Sequence, residues 1–381
     1  MRIDCRICHG TNLELRLQLA PTPIGDQFLL KPKHQPLHPI DLYQCQDCGL
    51  AQLLYEIPPE EIYADYIYLT GSSPGLREHF ARYAKEVSAV VGLKAGDCVV
   101  DIGSNDGTLL KEFRKLGAEV VGVEPCEAIA AASDVYTIQG YFRKGLVDAK
   151  AKLITANNVV ANINDLDSFM EGIVDLLAED GTFVFESFYL GDVVKNMVFD
   201  FIYHEHLSAF SIRPVQVLMK RYGMTLYRVE HLPTKGGSIR YYCNRYYAGR
   251  FQPVIHDDEG YLYERRTWEL FNERIAVERE KTLSFCREAK AAGKTIAGFG
   301  ACISGTTLMY HFDLCNYIDY LSDDNPAKIG RFSPGRHLEV RSTASVDADY
   351  VLALAWRFAD DFQATHPHVK VIRPLPCFSI S

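Results

Sequence analysis

Two cysteine knuckles near the start of the chain, Cys5-x2-Cys8 and Cys45-x2-Cys48, constrain what it can fold into more than any other feature. In each knuckle a tight turn aims two thiolates at one point, and two knuckles complete a closed tetrahedral four-sulfur shell. A closed shell holds a structural zinc ion and leaves no open position for a substrate. Zinc then substitutes for a hydrophobic core over residues 1 to about 60, where Pro21, Pro23, Pro32, Pro36 and Pro39 exclude a long helix. The competing reading, a pair of disulfides, needs an oxidising compartment. The start Met1-Arg-Ile-Asp-Cys-Arg shows no apolar leader, so reduced thiols and a cytoplasmic location are expected.

At 381 residues the chain exceeds what one core serves, and its 48% hydrophobic content can fill two or three domains. No run of eighteen or more apolar residues occurs, so no membrane-spanning segment is expected. A net charge of −9 argues against a protein that tracks nucleic-acid phosphates. Cys98, Cys126, Cys243, Cys286, Cys302, Cys315 and Cys377 have no paired spacing and read as reduced, apolar filler.

The segment Tyr63 to Ser73 is rich in aromatics and leads into helical apolar spacing from Leu76. From Asp97 the pattern alternates: strand at 98–102, helix at 109–116, strand at 119–124, strand at 152–156, helix at 167–178, strand at 181–186. Such alternation with buried Val and Ile runs predicts an α/β fold with a mostly parallel, doubly wound sheet. After about Phe188 the alternation breaks. A long polar helix over about 261–292 ends at Gly293, and an apolar strand then runs into the glycine-rich turn 295–305. Two more strand-like segments, 317–324 and 349–355, predict a second, smaller α/β domain. The expected division is 1–72, 73–200 and 201–381.

The first strand of the alternation ends in Asp101-Ile-Gly-Ser-Asn-Asp-Gly107. Ligands of doubly wound sheets lie beyond the strands' carboxyl ends, where Gly103 and Gly107 let the backbone approach closely. A dinucleotide site would read G-x-G-x-x-G and seat a pyrophosphate on the helix start. Here Asp101 and Asp106 would repel a pyrophosphate but suit a ligand with an ammonium and a sulfonium, which describes S-adenosylmethionine. Asn105 lies in the same turn. Glu124, followed by Pro125, ends the second strand and is placed for ribose hydroxyls, while Asn157 and Asn158 follow a later strand and could line the methionine or adenine end. The Gly298-Phe-Gly300 turn matches the dinucleotide pattern only in part and reads as a structural turn or a phosphate contact.

Tyr203-His-Glu-His206 places four proton-handling side chains in a row. On a helix Tyr203 and His206 would share a face; on a strand Tyr203 would side with Glu205, and His204 with His206. Methyl transfer to carbon needs a proton removed beside a carbonyl, and a neutral histidine can take it. Phenol or imidazole donors can steady the resulting enolate, and Glu205 can orient the imidazole.

Taken together, Cys5/Cys8/Cys45/Cys48, Asp101-Ile-Gly-Ser-Asn-Asp-Gly, Ala156-Asn-Asn-Val, Tyr203-His-Glu-His206, Lys235-Gly-Gly-Ser-Ile-Arg240 and Asp324-Asn-Pro-Ala-Lys-Ile-Gly-Arg331 resemble the nucleotide-sugar C-methyltransferases of deoxysugar pathways. The resemblance implies an N-terminal zinc-binding domain, a central class I S-adenosylmethionine methyltransferase sheet and a C-terminal Rossmann-like domain. It implies C-3 methylation of a nucleoside-diphosphate-linked 4-keto-deoxyhexose, with His206 as the base and Tyr203, His204 and Glu205 beside it. Tyr66, Tyr68 and Ser72 would cover the sugar, in a loop that has Leu69 where some members carry histidine. Asn162 likewise stands where related chains often have histidine. Lys235, Gly237, Ser238, Arg240, Lys328 and Arg331 lie in glycine-rich contexts suited to the diphosphate. The rival readings are a small-molecule O- or N-methyltransferase and a zinc-ribbon binding protein.

Overall fold

The computed structural model describes residues 1–62, 69–72, 74–245, 254 and 258–381. Three sheets organise these residues. The first is antiparallel, built from Leu13–Leu17, Leu42–Cys45, Ala51–Leu53 and a strand from far along the chain, Ser208–Ala209. Ala51 pairs with Ala209 and Gln52 with Ser208, so the chain returns to complete the zinc domain's sheet two residues after His206.

The central sheet has seven strands: β1 (Cys98–Ile102), β2 (Glu119–Glu124), β3 (Thr137–Gln139), β4 (Ala151–Thr155), β5 (Leu177–Phe188), β6 (Met224–Leu232) and β7 (Ser238–Arg245). Their spatial order is β6-β7-β5-β4-β1-β2-β3. Strands β1 to β5 are parallel where they pair, and β7 lies antiparallel between β5 and β6. This sheet therefore runs on past residue 200, where the alternation had set the end of the central domain. The reason is that β6 and β7 form an antiparallel hairpin, which needs no crossover helix and leaves no strand-helix-strand signature. Strand β5 also begins at Leu177, earlier than expected, because the helix before it closes at Leu176.

Helix α1 (Pro74–Val91) covers one face of this sheet. Phe80, Tyr83, Ala84 and Val87 fall at helical spacing and are buried against Val99, Leu153, Val184 and Tyr242, together with Leu109, Leu110 and Phe113 of α2 (Thr108–Lys115). Burying each of the larger of these side chains contributes roughly 1.5–3 kcal/mol. Helix α1 ends at Gly92, whose φ of +66° is the left-handed stop of a helix. On the other face lies α3 (Leu166–Leu176), whose first turn is capped by Asp165 accepting the Ser168 N–H at 3.0 Å.

Helix α4 (Arg265–Ala291) leads to the third sheet, formed by β8 (Ile296–Phe299), β9 (Tyr320–Ser322), β10 (Val340–Arg341), β11 (Tyr350–Ala353), β12 (Lys370–Arg373) and β13 (Ser379–Ile380), with α5 (Ile303–His311) following β8. Its order is β10-β9-β8-β11-β12-β13, parallel except for the last strand. Among the described residues no helix is long and apolar enough to cross a membrane.

Candidate active site

The four knuckle sulfurs lie within 4.8 Å of one another, with Cys5 and Cys48 Sγ atoms 3.4 Å apart and those of Cys8 and Cys45 3.5 Å apart. A zinc ion with bonds of about 2.3 Å to a tetrahedron of sulfurs needs them about 3.8 Å apart, so spacing and donor type both fit. Between the first two cysteines, Arg6 is 1% exposed and donates to the Leu53 carbonyl at 2.6 Å and the Leu207 carbonyl at 3.3 Å. The zinc knuckle is thereby tied to the residue that follows His206.

At the carboxyl end of β1, Gly103 has φ +69° and a Cβ there would lie 2.4 Å from Val159; Gly107 has φ +75° and opens α2. Only glycine fits either position. Asp101 is buried and accepts the Thr155 hydroxyl at 2.6 Å; burial pushes its carboxyl up to about 7 against that hydrogen bond. Glu124, also raised by burial, accepts the N–H groups of Asn105 at 3.1 Å and Cys126 at 2.9 Å, while the Pro125 carbonyl takes the Gln139 amide. Asn157 Oδ1 accepts the Glu186 N–H at 3.1 Å, leaving its Nδ2 buried without a partner among the described residues, and Asn158, at φ 58°, donates its N–H to the Glu186 carbonyl. Buried acids beside an orphaned amide donor suit a ligand that carries both an ammonium and a carboxylate.

The side chains of Asn105 and Asp106 take a different direction from the expected cofactor contacts. Asn105 Oδ1 accepts the Thr70 N–H and Asp106 Oδ2 the Gly71 N–H, each at 2.8 Å. The other Asp106 oxygen accepts the Thr108 N–H and hydroxyl, because a short carboxylate at a helix start satisfies its free N–H groups. Ser72 closes the short 3-10 turn Thr70–Ser72, and Tyr66 and Tyr68 lie outside the described residues.

Tyr203 to His206 form a tight turn, closed by the His206 N–H on the Tyr203 carbonyl at 2.9 Å, and not the helix or strand considered from sequence. The turn splits the two histidines. His204 faces the zinc domain: its Nε2 lies 3.2 Å from the His38 carbonyl, which only accepts, so that nitrogen carries the proton. Its Nδ1 is buried without a partner among the described residues, and burial pushes the imidazole down to about 4. His206 stacks between Tyr203 at 4.0 Å and Phe188 at 4.5 Å between ring centres. Its Nδ1 donates to the Phe201 carbonyl at 2.7 Å, which leaves Nε2 as the acceptor. Burial, helped by the nearby Lys235 ammonium, pushes His206 down to about 3, so it is neutral at physiological pH. Glu205 is pushed up to about 7 by burial and by Asp26, against Lys235 and Lys328.

The residues expected at the diphosphate separate into two groups. Arg240 is 1% exposed, and its Nε pairs with Glu186 at 2.7 Å while Nη1 pairs with Glu230 at 2.9 Å and Glu86 at 3.1 Å. It lies over the Tyr83 ring, inside the sheet's polar core, and is unavailable to a phosphate; register decides this, since Arg240 sits directly opposite Glu186 on β5. Lys328 bonds Asp26 and the Ala301 carbonyl, and Arg331 bonds the Phe28 carbonyl, so both fasten the zinc domain to the third domain. Gly237 and Ser238 shape the turn before β7, through the Gly237 carbonyl on the Tyr189 N–H and the Ser238 hydroxyl on the Thr234 carbonyl. Lys235 stands in that turn and is exposed. Burial of its ammonium lowers it to about 8, against the nearby carboxylates of Glu205 and Glu186.

Sequence reasoning missed several residues. His79 of α1 bonds Glu186 at 2.9 Å, and Asp200, fully buried, accepts from Trp356 and Arg357 at 3.1 Å each. A usable signal existed for the acids. Glu186 and Asp200 each interrupt an apolar run, and a buried acid calls for a donor. His79, a lone histidine on a helix, carried none.

The glycine cradle, its acids, the 6-7-5-4-1-2-3 sheet order and the four-sulfur shell define a class I methyltransferase carrying a zinc-binding domain. Three families match successive stretches: zinc binding domain at 5–63, methyltransferase domain at 76–229 and C-methyltransferase C-terminal domain at 233–374. The C-methyltransferase NovU of Streptomyces niveus is 30% identical over 388 residues, covering 94% of this chain and 90% of that protein. The chain belongs to this C-methyltransferase family, and is an enzyme that uses S-adenosylmethionine. A ubiquinone biosynthesis O-methyltransferase of Rhodopseudomonas palustris (strain TIE-1) is 26% identical over 114 residues, 28% of this chain and 44% of that one. Among solved structures, the PH0226 protein from Pyrococcus horikoshii OT3 shares 16% identity at a TM-score of 0.41, covering 49% of this chain and 99% of its own. The glycopeptide N-methyltransferase MtfA complexed with S-adenosylmethionine shares 12% at 0.37, covering 44% and 94%.

Proposed function

We propose that the enzyme methylates C-3 of a nucleoside-diphosphate-linked 4-keto-deoxyhexose through an enolate. Bound S-adenosylmethionine supplies an electrophilic methyl group. The protein's own task is to make a carbon nucleophilic. The 4-keto group acidifies the C-3 hydrogen; His206 Nε2 accepts that proton, the C–H electron pair becomes the C-3/C-4 double bond, and the carbonyl pair moves to oxygen. The observation that carries this reading is the fixed tautomer of His206, with Nδ1 held by the Phe201 carbonyl and Nε2 free to accept. Burial keeps the imidazole neutral before reaction, and a developing enolate anion beside it raises its basicity when the proton moves. Tyr203 fixes the ring plane by stacking, and the domain contacts of His204 leave His206 as the base. The start of α5 offers backbone N–H groups for the diphosphate, whereas the N–H groups of Gly300 and Ala301 before it are taken by the Ser322 carbonyl and the Asp323 carboxylate at 2.8 Å each.

Incubation with dTDP-, CDP- and GDP-linked 4-keto-6-deoxyhexoses should give a C-methylated sugar in at least one case, identified by mass spectrometry and NMR. His206→Asn should abolish turnover and leave S-adenosylmethionine affinity, measured by calorimetry, nearly unchanged. Full activity in that variant would remove the base assignment.

A further inference from the structure

We infer that Lys235 is a catalytic residue of proton abstraction: its ammonium donates a hydrogen bond to the sugar's keto oxygen and takes up the charge that forms there as His206 removes the adjacent proton. The inference rests on the substrate reading above and assigns Lys235 to the reacting carbonyl in place of the diphosphate.

The enolate oxygen needs a cationic or strong donor, and few are left among the described residues. His204 is turned to the His38 carbonyl, Arg240 is held by three carboxylates and Lys328 by Asp26. Lys235 makes no ion pair or hydrogen bond among the described residues. Its backbone is left-handed, φ 56° and ψ 26°, a conformation that lysine adopts only where surrounding bonds impose it. Three bonds hold the turn: the Gly237 N–H and the Ser238 hydroxyl both donate to the Thr234 carbonyl, at 2.9 and 3.0 Å, and the Asn196 amide donates to the Gly236 carbonyl at 3.2 Å. The turn is also tied to the base. Ser238 pairs across the sheet with Phe188, whose ring stacks on His206, and the Gly237 carbonyl accepts the N–H of Tyr189 next in line.

Charge explains why this pairing favours an anion close to both members. Burial first, and then the Lys235 ammonium, keep the His206 imidazole unprotonated. Once His206 carries a proton, a second cation stands near Lys235, and an oxyanion close to both lowers the energy of that state. The enolate oxygen is that anion, and it forms in the same step that protonates His206. Both charges of the intermediate are thus matched by groups already in place.

Lys235→Met and Lys235→Arg separate this role from diphosphate binding. The wild-type probe is C-3 exchange in D2O without methyl donor, followed by NMR, using the dTDP-, CDP- or GDP-linked 4-keto-6-deoxyhexose that the enzyme accepts. The second readout is calorimetric affinity for the matching free nucleoside diphosphate. Lys235→Met should slow exchange at saturating sugar by about 10²-fold or more while changing nucleoside diphosphate affinity by less than about threefold, and Lys235→Arg should recover part of the rate. Exchange at the wild-type rate in Lys235→Met would overturn the inference, as would a tenfold or greater affinity loss with saturated exchange unchanged, which marks a phosphate ligand. Should the methionine variant fail to fold, Lys235→Gln takes the same two measurements. A wild-type enzyme that exchanges no C-3 proton in any probe sinks the substrate reading itself, and the role of Lys235 with it.

Discussion

Replacing Arg240 by methionine removes a guanidinium that is 1% exposed and bonded to Glu186, Glu230 and Glu86 at 2.7, 2.9 and 3.1 Å. Glu186 is also buried, so the variant leaves its carboxylate with only the His79 ring as a hydrogen-bonding side chain among the described residues. Breaking a buried pair on one side costs about 3–5 kcal/mol, because the remaining charge stays desolvated and unmatched. Methionine keeps most of the packing volume over Tyr83, so little of that loss is cavity. At about 2–4 °C per kcal/mol for a domain of this size, thermal unfolding followed by circular dichroism should fall by about 6–20 °C. Adding Glu186→Leu should restore much of the loss, since removing both partners abolishes the unmatched charge. An Arg240→Met protein that unfolds with the wild type yet needs tenfold more nucleotide sugar would refute this reasoning and return Arg240 to the diphosphate.

Zinc and the cofactor loop give two further tests. Cys48→Ser should lose the zinc ion, measured by elemental analysis, and with it turnover, while retaining S-adenosylmethionine affinity. The zinc domain's sheet takes its last strand from Ser208–Ala209, beside the base, whereas the cofactor loop belongs to the central sheet. Full zinc content with full activity would contradict this. Burial pushes the Asp101 carboxyl up to about 7, and its ionised form is the one that pairs with an ammonium. Calorimetry should therefore find S-adenosylmethionine affinity falling as pH drops through about 7, by at most about tenfold per unit, and Asp101→Asn should weaken binding and flatten that dependence. An unchanged slope in the variant would assign the titration to another group.

Much of this architecture was legible in the chain because the signals are short. Strands β1 and β2 fall on the residues that alternation marked, Cys98–Ile102 and Glu119–Glu124, and the cysteine knuckles and the glycine loop close over a few residues each. The 6–7 hairpin was not legible, since its two strands are joined by a short turn with no crossover helix and carry no mark of the sheet they join. The Tyr203–His206 row stood out by composition, but its turn did not, as consecutive polar residues fit a helix, a strand or a turn equally well.

The sequence by itself determined the zinc shell, the cofactor cradle and the doubly wound sheet, because each depends on neighbours within a few positions and on covalent reach. Only the tertiary structure decided which partner each charge meets. Arg240 reads as a phosphate ligand among its glycines until strand register sets it against Glu186 on β5, and Lys328 reads so until the zinc domain brings Asp26 to it. His204 and His206 are two residues apart, yet one faces a carbonyl of the zinc domain and the other the end of β5. Those outcomes depend on contacts between segments some 50 to 300 residues apart, and a buried charge takes its function from what lies opposite it in space.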